Sequence, residues 1–174
     1  MKQIKKRKNQ IVILSIIGVI ILMSMFFLRV NKVQEINSND LVRKQDIKNI
    51  SEALEVYYKD FQHYPYSSEG LIIGCGESAS QICDWGGVWE NSNDKKVYMD
   101  KLPLDPDGNH YYYVSDPQGK TFSVFAFLEN EKDDEVKKNE GQPAFYKDTF
   151  CRVIDGVLSA DTCNYVVTGA EIEL

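Results

Sequence analysis

One uncharged, apolar run near the start of the chain constrains the fold more than any other feature. It begins at Ile11 and ends at Leu28, and its only polar side chains are Ser15 and Ser24. At about 1.5 Å rise per residue, a helix of this length spans about 27 Å, close to the hydrocarbon thickness of a bilayer. Because lipid offers no hydrogen-bond partners, a spanning segment must satisfy its backbone internally. We therefore predict a transmembrane helix over residues 11–28.

Basic residues beside this run predict its orientation. The first ten positions hold five basic residues and no acidic one. Lys and Arg next to a membrane span stay on the cytoplasmic side. Residues 1–10 are thus predicted to be a cytoplasmic tail, and residues 29–174 an extracytoplasmic domain. A cleaved signal peptide is the competing interpretation, but its apolar stretch is usually shorter, and no small-x-small cleavage pattern follows Leu28.

Charge and composition exclude several classes of protein. Residues 31–174 carry 14 basic against 26 acidic residues, a net charge of −12, which argues against nucleic-acid binding. The chain is 43% hydrophobic, enough to build a core rather than remain disordered. Only two histidines occur, His63 and His110, and no G-x-S-x-G, H-E-x-x-H or phosphate-binding glycine loop is present. We therefore predict no catalytic residues and no enzymatic activity.

The four cysteines agree with an extracytoplasmic domain. Cys75, Cys83, Cys151 and Cys163 all follow the apolar run, and an even number of cysteines in such a domain predicts disulfides. Three pairings are possible, and the simplest joins neighbours, since each local pair closes a short, turn-rich loop. A zinc site is the rival interpretation, but no C-x-x-C spacing or nearby histidine supports it.

A second helical pattern follows the apolar run. Apolar residues recur at steps of three and four, which predicts one buried face of a helix over about residues 40–61. They are Ile47, Ile50, Leu54, Tyr57 or Tyr58, and Phe61. Tyr64-Pro65 is expected to end this helix, because the residue before proline disfavours the α region. The polar residues 37–40 favour caps and mark a possible break from the preceding span.

The rest of the chain predicts a small β structure. Residues 65–101 are expected to form a long irregular loop, in which residues 97–99 form either a short helix or a short strand. Residues 102–109 carry a dense turn signal. Aromatic and β-branched residues predict a hairpin over 110–128, with apolar side chains on both faces of its second strand. The charged residues 129–142 indicate a solvated loop. A disulfide-closed tail over 145–174 is predicted to hold a last strand at 165–168. The fold class is therefore α+β.

The order of these features resembles that of type IV pilin-like proteins, and more narrowly of the major pseudopilin of type II secretion systems. The resemblance lies in the helix at residues 46–60, Tyr64-Pro65, the Leu-Pro-x-Asp-Pro-x-Gly-Asn motif at 102–109, and the aromatic hairpin. It implies a non-catalytic structural subunit in the bacterial cytoplasmic membrane, with a long N-terminal helix packed on a small antiparallel sheet. It also implies self-association or partnership with other pilin-like subunits.

The first thirty residues depart from the family pattern. Family members carry a short basic leader, a glycine at which a prepilin peptidase cuts, and a glutamate five residues later. The resemblance implies that this glutamate pairs with the new N-terminus of a neighbouring subunit during assembly. Here Gly18 lies in the middle of the apolar run, Met23 stands five residues beyond it, and the first acidic residue is Glu35. The alternative function is therefore an unprocessed, single-pass binding or adhesion module that does not polymerise.

The resemblance also implies calcium in the loop after the hairpin. The candidate ligands here are Glu129, Glu131, Asp133 and Asp134, carboxylates of the kind that calcium prefers. A merely solvated acidic loop is the competing interpretation, and the nearby lysines would weaken a metal site. No other cofactor is expected.

Overall fold

The computed structural model describes residues 2–93 and 95–170, with the side chains of residues 2–13 and 15 excluded. Three parts of the predictions lie outside the described residues: Met1 of the tail 1–10, the side chain of Ile11, and the last four residues of the tail 145–174. The chain divides into two compact units, Met1–Ser38 and Asn39–Leu174. We describe each unit by itself.

One helix, α1 (Lys2–Phe61), covers the start of the chain. No break occurs at residues 37–40, because Asp40 does not cap a helix but accepts hydrogen bonds from elsewhere in the fold, as described below. The helix ends at Phe61, where Gln62 turns into the left-handed region (φ 59°) and its N–H donates to the Tyr58 carbonyl at 2.8 Å. A left-handed residue directly after the last turn is a common helix stop.

The first unit contains the exposed apolar part of α1. Every described apolar side chain from Leu14 to Leu28 is between 47 and 70% exposed. From Ile16 onward, α1 contains an 18-residue window that is long and apolar enough to cross a membrane, and none of this window is buried. An apolar surface around the whole circumference of a helix is typical of a lipid-facing segment.

The described residues of the second unit comprise the end of α1 and twelve short strands. In chain order they are β1 (Tyr66–Ser68), β2 (Leu71–Cys75), β3 (Gln81–Cys83), β4 (Trp89–Asn91), β5 (Lys96–Met99), β6 (Tyr112–Ser115), β7 (Thr121–Ala126), β8 (Lys138–Asn139), β9 (Gln142–Pro143), β10 (Arg152–Ile154), β11 (Val157–Ser159) and β12 (Tyr165–Ala170).

The main sheet has the order β12-β7-β6, and both pairings are antiparallel. This confirms the predicted α+β fold, and the hairpin predicted over 110–128 corresponds to β6 and β7. Asp116 forms the hairpin turn, since its carboxylate accepts the N–H groups of Gln118 at 3.1 Å and Thr121 at 2.6 Å. The last strand, β12, extends two residues beyond the predicted 165–168.

The segment predicted as an irregular loop, residues 65–101, holds five of the strands. They form the sheet β1-β2-β3 and the pair β4-β5. The prediction missed the first four and left residues 97–99, within β5, open as a short helix or strand, because each strand is only three to five residues long. Strands of this length show little alternation of apolar and polar residues, so the glycines and cysteines of the segment made it look like a loop.

The core lies along one face of α1 and one face of the main sheet. Most of the predicted helical stripe is buried: Ile47, Ile50 and Leu54 are 0% exposed and Tyr57 is 1% exposed, whereas Phe61 at its end is half-buried. These residues share a cluster with the inner side chains of β7 and the residues that follow it, namely Phe122, Val124, Ala126 and Leu128. On the opposite face, Phe127 packs with Cys151 and Cys163 in a second cluster. Both faces of the hairpin are thus covered, as its apolar pattern predicts.

All four cysteines are paired, Cys75 with Cys83 and Cys151 with Cys163. The local pairing is therefore the one the structure contains. The first disulfide joins β2 to β3. The second joins two cysteines that lie 12 positions apart, on either side of the hairpin formed by β10 and β11.

We expect the double variant Cys151→Ala/Cys163→Ala to lose about 3 kcal/mol of unfolding free energy, since chain entropy gives about this value for a loop of this size. Urea unfolding followed by fluorescence measures the loss. The variant Cys75→Ala/Cys83→Ala applies the same test to the other disulfide, and a similar loss of unfolding free energy is expected from its shorter loop. Unchanged stability in the first variant would contradict the prediction.

Candidate functional site

The buried stripe of α1 continues toward the N-terminus with two charged residues. Arg43 lies four residues before Ile47, and Asp40 lies three residues before Arg43, so both belong to the buried face. Their side chains are 0% and 4% exposed. A charged side chain on this face must find partners, because an unpaired buried charge is strongly unfavourable.

Three carboxylates surround the Arg43 guanidinium. Nε and Nη2 donate to the two carboxylate oxygens of Asp105, at 2.6 and 3.0 Å. Nη1 donates to Asp40 Oδ1 at 2.8 Å and to Glu129 Oε1 at 2.9 Å. We call these four residues the Arg43 cluster. The fork to Asp105 is the two-point arrangement in which arginine binds carboxylates most strongly.

The same carboxylates also hold the backbone of two loops. Asp40 accepts the N–H groups of Glu129 at 3.0 Å and Asn130 at 2.8 Å. Asp105 accepts the N–H of Asp107 at 2.9 Å. The Arg43 cluster therefore joins α1, the turn at 102–109 and the loop after β7. Burial acts to lower the pKa of Arg43, but hydrogen bonds to these carboxylates raise it above its usual value, so the guanidinium stays charged.

Lys44, the next residue of α1, binds the loop that follows the Arg43 cluster. Its Nζ lies 2.8 Å from both carboxylate oxygens of Asp133 and 3.2 Å from Glu135 Oε2. We call residues 129–135 the acidic loop. Burial works against both charges, but the contacts between them prevail and raise the pKa of Lys44 while lowering that of Asp133.

The four predicted calcium ligands do not come together. Glu129 contacts Arg43 and Asp133 contacts Lys44, whereas Glu131 and Asp134 are exposed. Within residues 2–93 and 95–170, no group of three or more His, Cys, Asp or Glu side chains is placed to hold a metal ion. The donors in this arrangement do not fit calcium, which requires six to eight oxygen ligands at one point. Calcium binding stays a prediction.

Sequence reasoning missed the Arg43 cluster, although a signal for it was present. The steps of three and four that identify the stripe continue through positions 43 and 40. An arginine and an aspartate at these positions indicate a buried ion pair. The partners Asp105 and Glu129 lie 62 and 86 residues away along the chain, so no local pattern points to them.

The two histidines have structural contacts. His63 Nδ1 lies 2.8 Å from the Tyr64 carbonyl oxygen, and its ring stacks on that of Tyr66. The backbone N–H of His110 donates to the Cys151 carbonyl at 2.7 Å. These contacts orient loop segments, and neither histidine is paired with a nucleophile among the described contacts.

A groove of about 520 Å³ runs between α1 and the edge strand β12. It is lined by residues of both elements and of the acidic loop, including Leu41, Lys48, Glu52, Glu135 and Val167. Its lining mixes both charge signs with exposed apolar groups. The groove is open to solvent, whereas cavities for small ligands are mostly enclosed, so it resembles a surface contact region more than a ligand cavity.

The family model described as type II secretion system (T2SS), protein G matches residues 32–142. The match covers the end of α1, the two small sheets, the hairpin and the acidic loop. The chain belongs to the protein G family of type II secretion systems. This confirms the family that the sequence motifs indicate.

A curated relative from Pseudomonas aeruginosa, the type II secretion system core protein G, is 32% identical to the chain over 87 residues. The alignment covers 49% of this chain and 56% of that protein, so the chain spans about half the length of the relative it matches. No solved structure shows significant similarity to the chain.

Membership of the protein G family supports a pseudopilin-like structural subunit. Proteins of this family are structural components rather than enzymes. The exposed apolar part of α1 supports membrane anchoring. The tail that carries the second disulfide lies beyond the family match, because Cys151 and Cys163 follow residue 142.

Proposed function

We propose that this protein is a non-catalytic structural subunit of a type IV filament or type II secretion-related assembly. Residues 11–28 anchor it in the bacterial cytoplasmic membrane, with residues 1–10 in the cytoplasm and the disulfide-bonded domain outside. The observation that carries the proposal is the continuous exposed apolar surface of α1 in a chain of the protein G family.

An apolar helix in a bilayer gains little from burial against other proteins, because lipid tails are equally apolar. Association then depends on close van der Waals packing between helices. Gly18 supports such packing, since a Cβ added there would meet no atom within 4 Å beyond the adjoining backbone of its own helix, which leaves room for a neighbouring helix. Copies of the chain, or other pilin-like subunits, are the proposed partners.

One observation favours the alternative function, an anchored binding or adhesion module that does not polymerise. No acidic residue occurs before Glu35, so the apolar run lacks the glutamate that the resemblance associates with assembly. Without it, a subunit cannot pair its run with a neighbour's N-terminal amine.

Cysteine scanning separates the two functions. Single cysteines are placed at each position from 20 to 28 of the full chain, and membranes are treated with a mild oxidant. The four native cysteines are already paired and do not compete. If copies pack through α1, we expect the yield of cross-linked dimer to peak every three to four positions, since one helical face makes the contact.

A cysteine at Val157, which is 65% exposed on β11, measures random collisions between copies. A uniform yield along the run at this background level would contradict packing and support the non-polymerising module. N-terminal sequencing of the native protein adds a second criterion. A mature chain that lacks the basic cluster supports peptidase-dependent assembly, whereas a chain that keeps Met1 argues against it.

A further inference from the structure

The acidic loop carries five acidic residues and one lysine close together after the hairpin, and like charges at this density repel one another. Two cations from consecutive positions of α1 contact the loop. Arg43 contacts Glu129, and Lys44 contacts both Asp133 and Glu135. The negative charge of the loop is therefore partly compensated by side chains of its own domain.

These cations contact two of the four carboxylates predicted to bind calcium. The ammonium of Lys44 lies at hydrogen-bond distance from both oxygens of Asp133. A calcium ion sharing these oxygens would approach a like charge within a few ångströms. The guanidinium of Arg43, fully buried, removes Glu129 from any common site in the same way.

Backbone contacts also hold the loop in place. Asp133 Oδ1 also accepts the Glu135 N–H at 3.0 Å, and Asp40 accepts the N–H groups at the start of the loop. Directly after the loop, Val136 is 3% exposed and belongs to the main core. The contacts of Lys44 therefore hold the loop in the position from which Val136, the next residue, packs into the core.

We propose that Arg43 and Lys44 are the resident cations of the acidic loop and hold it on α1 in place of a metal ion, so that the domain is stable without calcium. Arg43 supplies the buried contact and Lys44 the half-buried one. The proposal concerns the extracytoplasmic domain alone and does not depend on whether the protein polymerises.

Calcium titration of the full chain in detergent tests the proposal directly. The melting temperature (Tm) of the wild type in 5 mM EDTA and in excess calcium is expected to agree within about 1 °C, since a ligand raises Tm only by binding the native state. A rise of several degrees with calcium would overturn the proposal.

The variant Lys44→Met tests the role of the ammonium. We expect Tm to fall by about 3 °C, and hydrogen exchange in residues 129–138 to become about fivefold faster, as for the loss of one half-buried ion pair. Lys44→Arg keeps the charge and should restore most of the protection. Unchanged exchange in Lys44→Met would overturn the assignment to Lys44.

Lys48→Met is the matched control, because Lys48 lies one turn further along the same helix. It has only a 4.0 Å contact with Glu52, and both side chains are about two-thirds exposed. Neither Tm nor loop exchange should change measurably in this variant. If Lys48→Met lowered Tm and speeded loop exchange as much as Lys44→Met, the effect would come from helix α1 as a whole, and the proposal would be contradicted.

Discussion

Arg43→Met is expected to lower the free energy of unfolding by about 3–5 kcal/mol, the usual result of breaking a buried ion pair from one side. Methionine fills most of the volume of the arginine side chain, but it leaves Asp40, Asp105 and Glu129 without their cation. Two of these carboxylates are at least 96% buried, so they must protonate or draw in water. Urea unfolding monitored by tryptophan fluorescence measures the loss.

Two further variants define the cause. Arg43→Lys keeps a charge but cannot reproduce the fork to Asp105, so an intermediate loss is expected. Arg152→Met is the matched control, since Arg152 is only half-buried and its guanidinium lies over the Phe127 ring at 4.3 Å. The loss of unfolding free energy in Arg152→Met should stay at about 1 kcal/mol. A wild-type stability in Arg43→Met would show that the Arg43 cluster does not stabilise the domain.

Trp89→Ala is expected to destabilise the domain by about 3–5 kcal/mol, because it empties the largest fully buried side-chain volume of the described core. The indole packs near the rings of Tyr57 and Tyr98, with centroids 5.7 and 5.3 Å away. Its Nε1 donates to the Gly74 carbonyl at 3.1 Å. Trp89→Ala therefore loses packing between α1 and β5 and leaves a buried carbonyl without its donor. Thermal unfolding followed by circular dichroism measures the effect.

Trp85→Ala is the control for this second prediction. Trp85 is the only other tryptophan of the chain, lies four residues earlier and is half-buried, with its ring edge-on to Tyr111 at 5.8 Å. We expect Trp85→Ala to lower the free energy of unfolding by about half as much as Trp89→Ala, because folding removes less of the Trp85 side-chain surface from water. Equal losses in the two variants would contradict the role assigned to the buried indole.

The predictions that succeeded rest on periodicity. The stripe of α1 was recognised because its steps of three and four continue over several turns, and its residues from Ile47 to Tyr57 are buried. The hairpin was recognised from two strands rich in β-branched and aromatic residues, separated by a turn with Asp116 and Gly119. Each signal is local, so the residues that carry it lie within one element.

The predictions that the structure corrects or leaves open concern contacts between distant segments. The five short strands of residues 65–101 are stabilised by pairing and by Trp89 rather than by their own propensity. The calcium prediction counted the carboxylates of the acidic loop, but it could not include Arg43 and Lys44, which precede the loop by about 90 residues. Their side chains now account for Glu129 and Asp133.

The sequence by itself determined the apolar run, the buried face of the helix, the hairpin and the family, because each depends on residues close together in the chain. Only the tertiary structure decided which charges meet. An ion pair forms when two groups approach within about 3 Å, and its strength depends on how much water is removed from both. Arg43 and Asp105 satisfy both conditions because α1 and the turn at 102–109 pack together, and nothing in either segment alone specifies that contact.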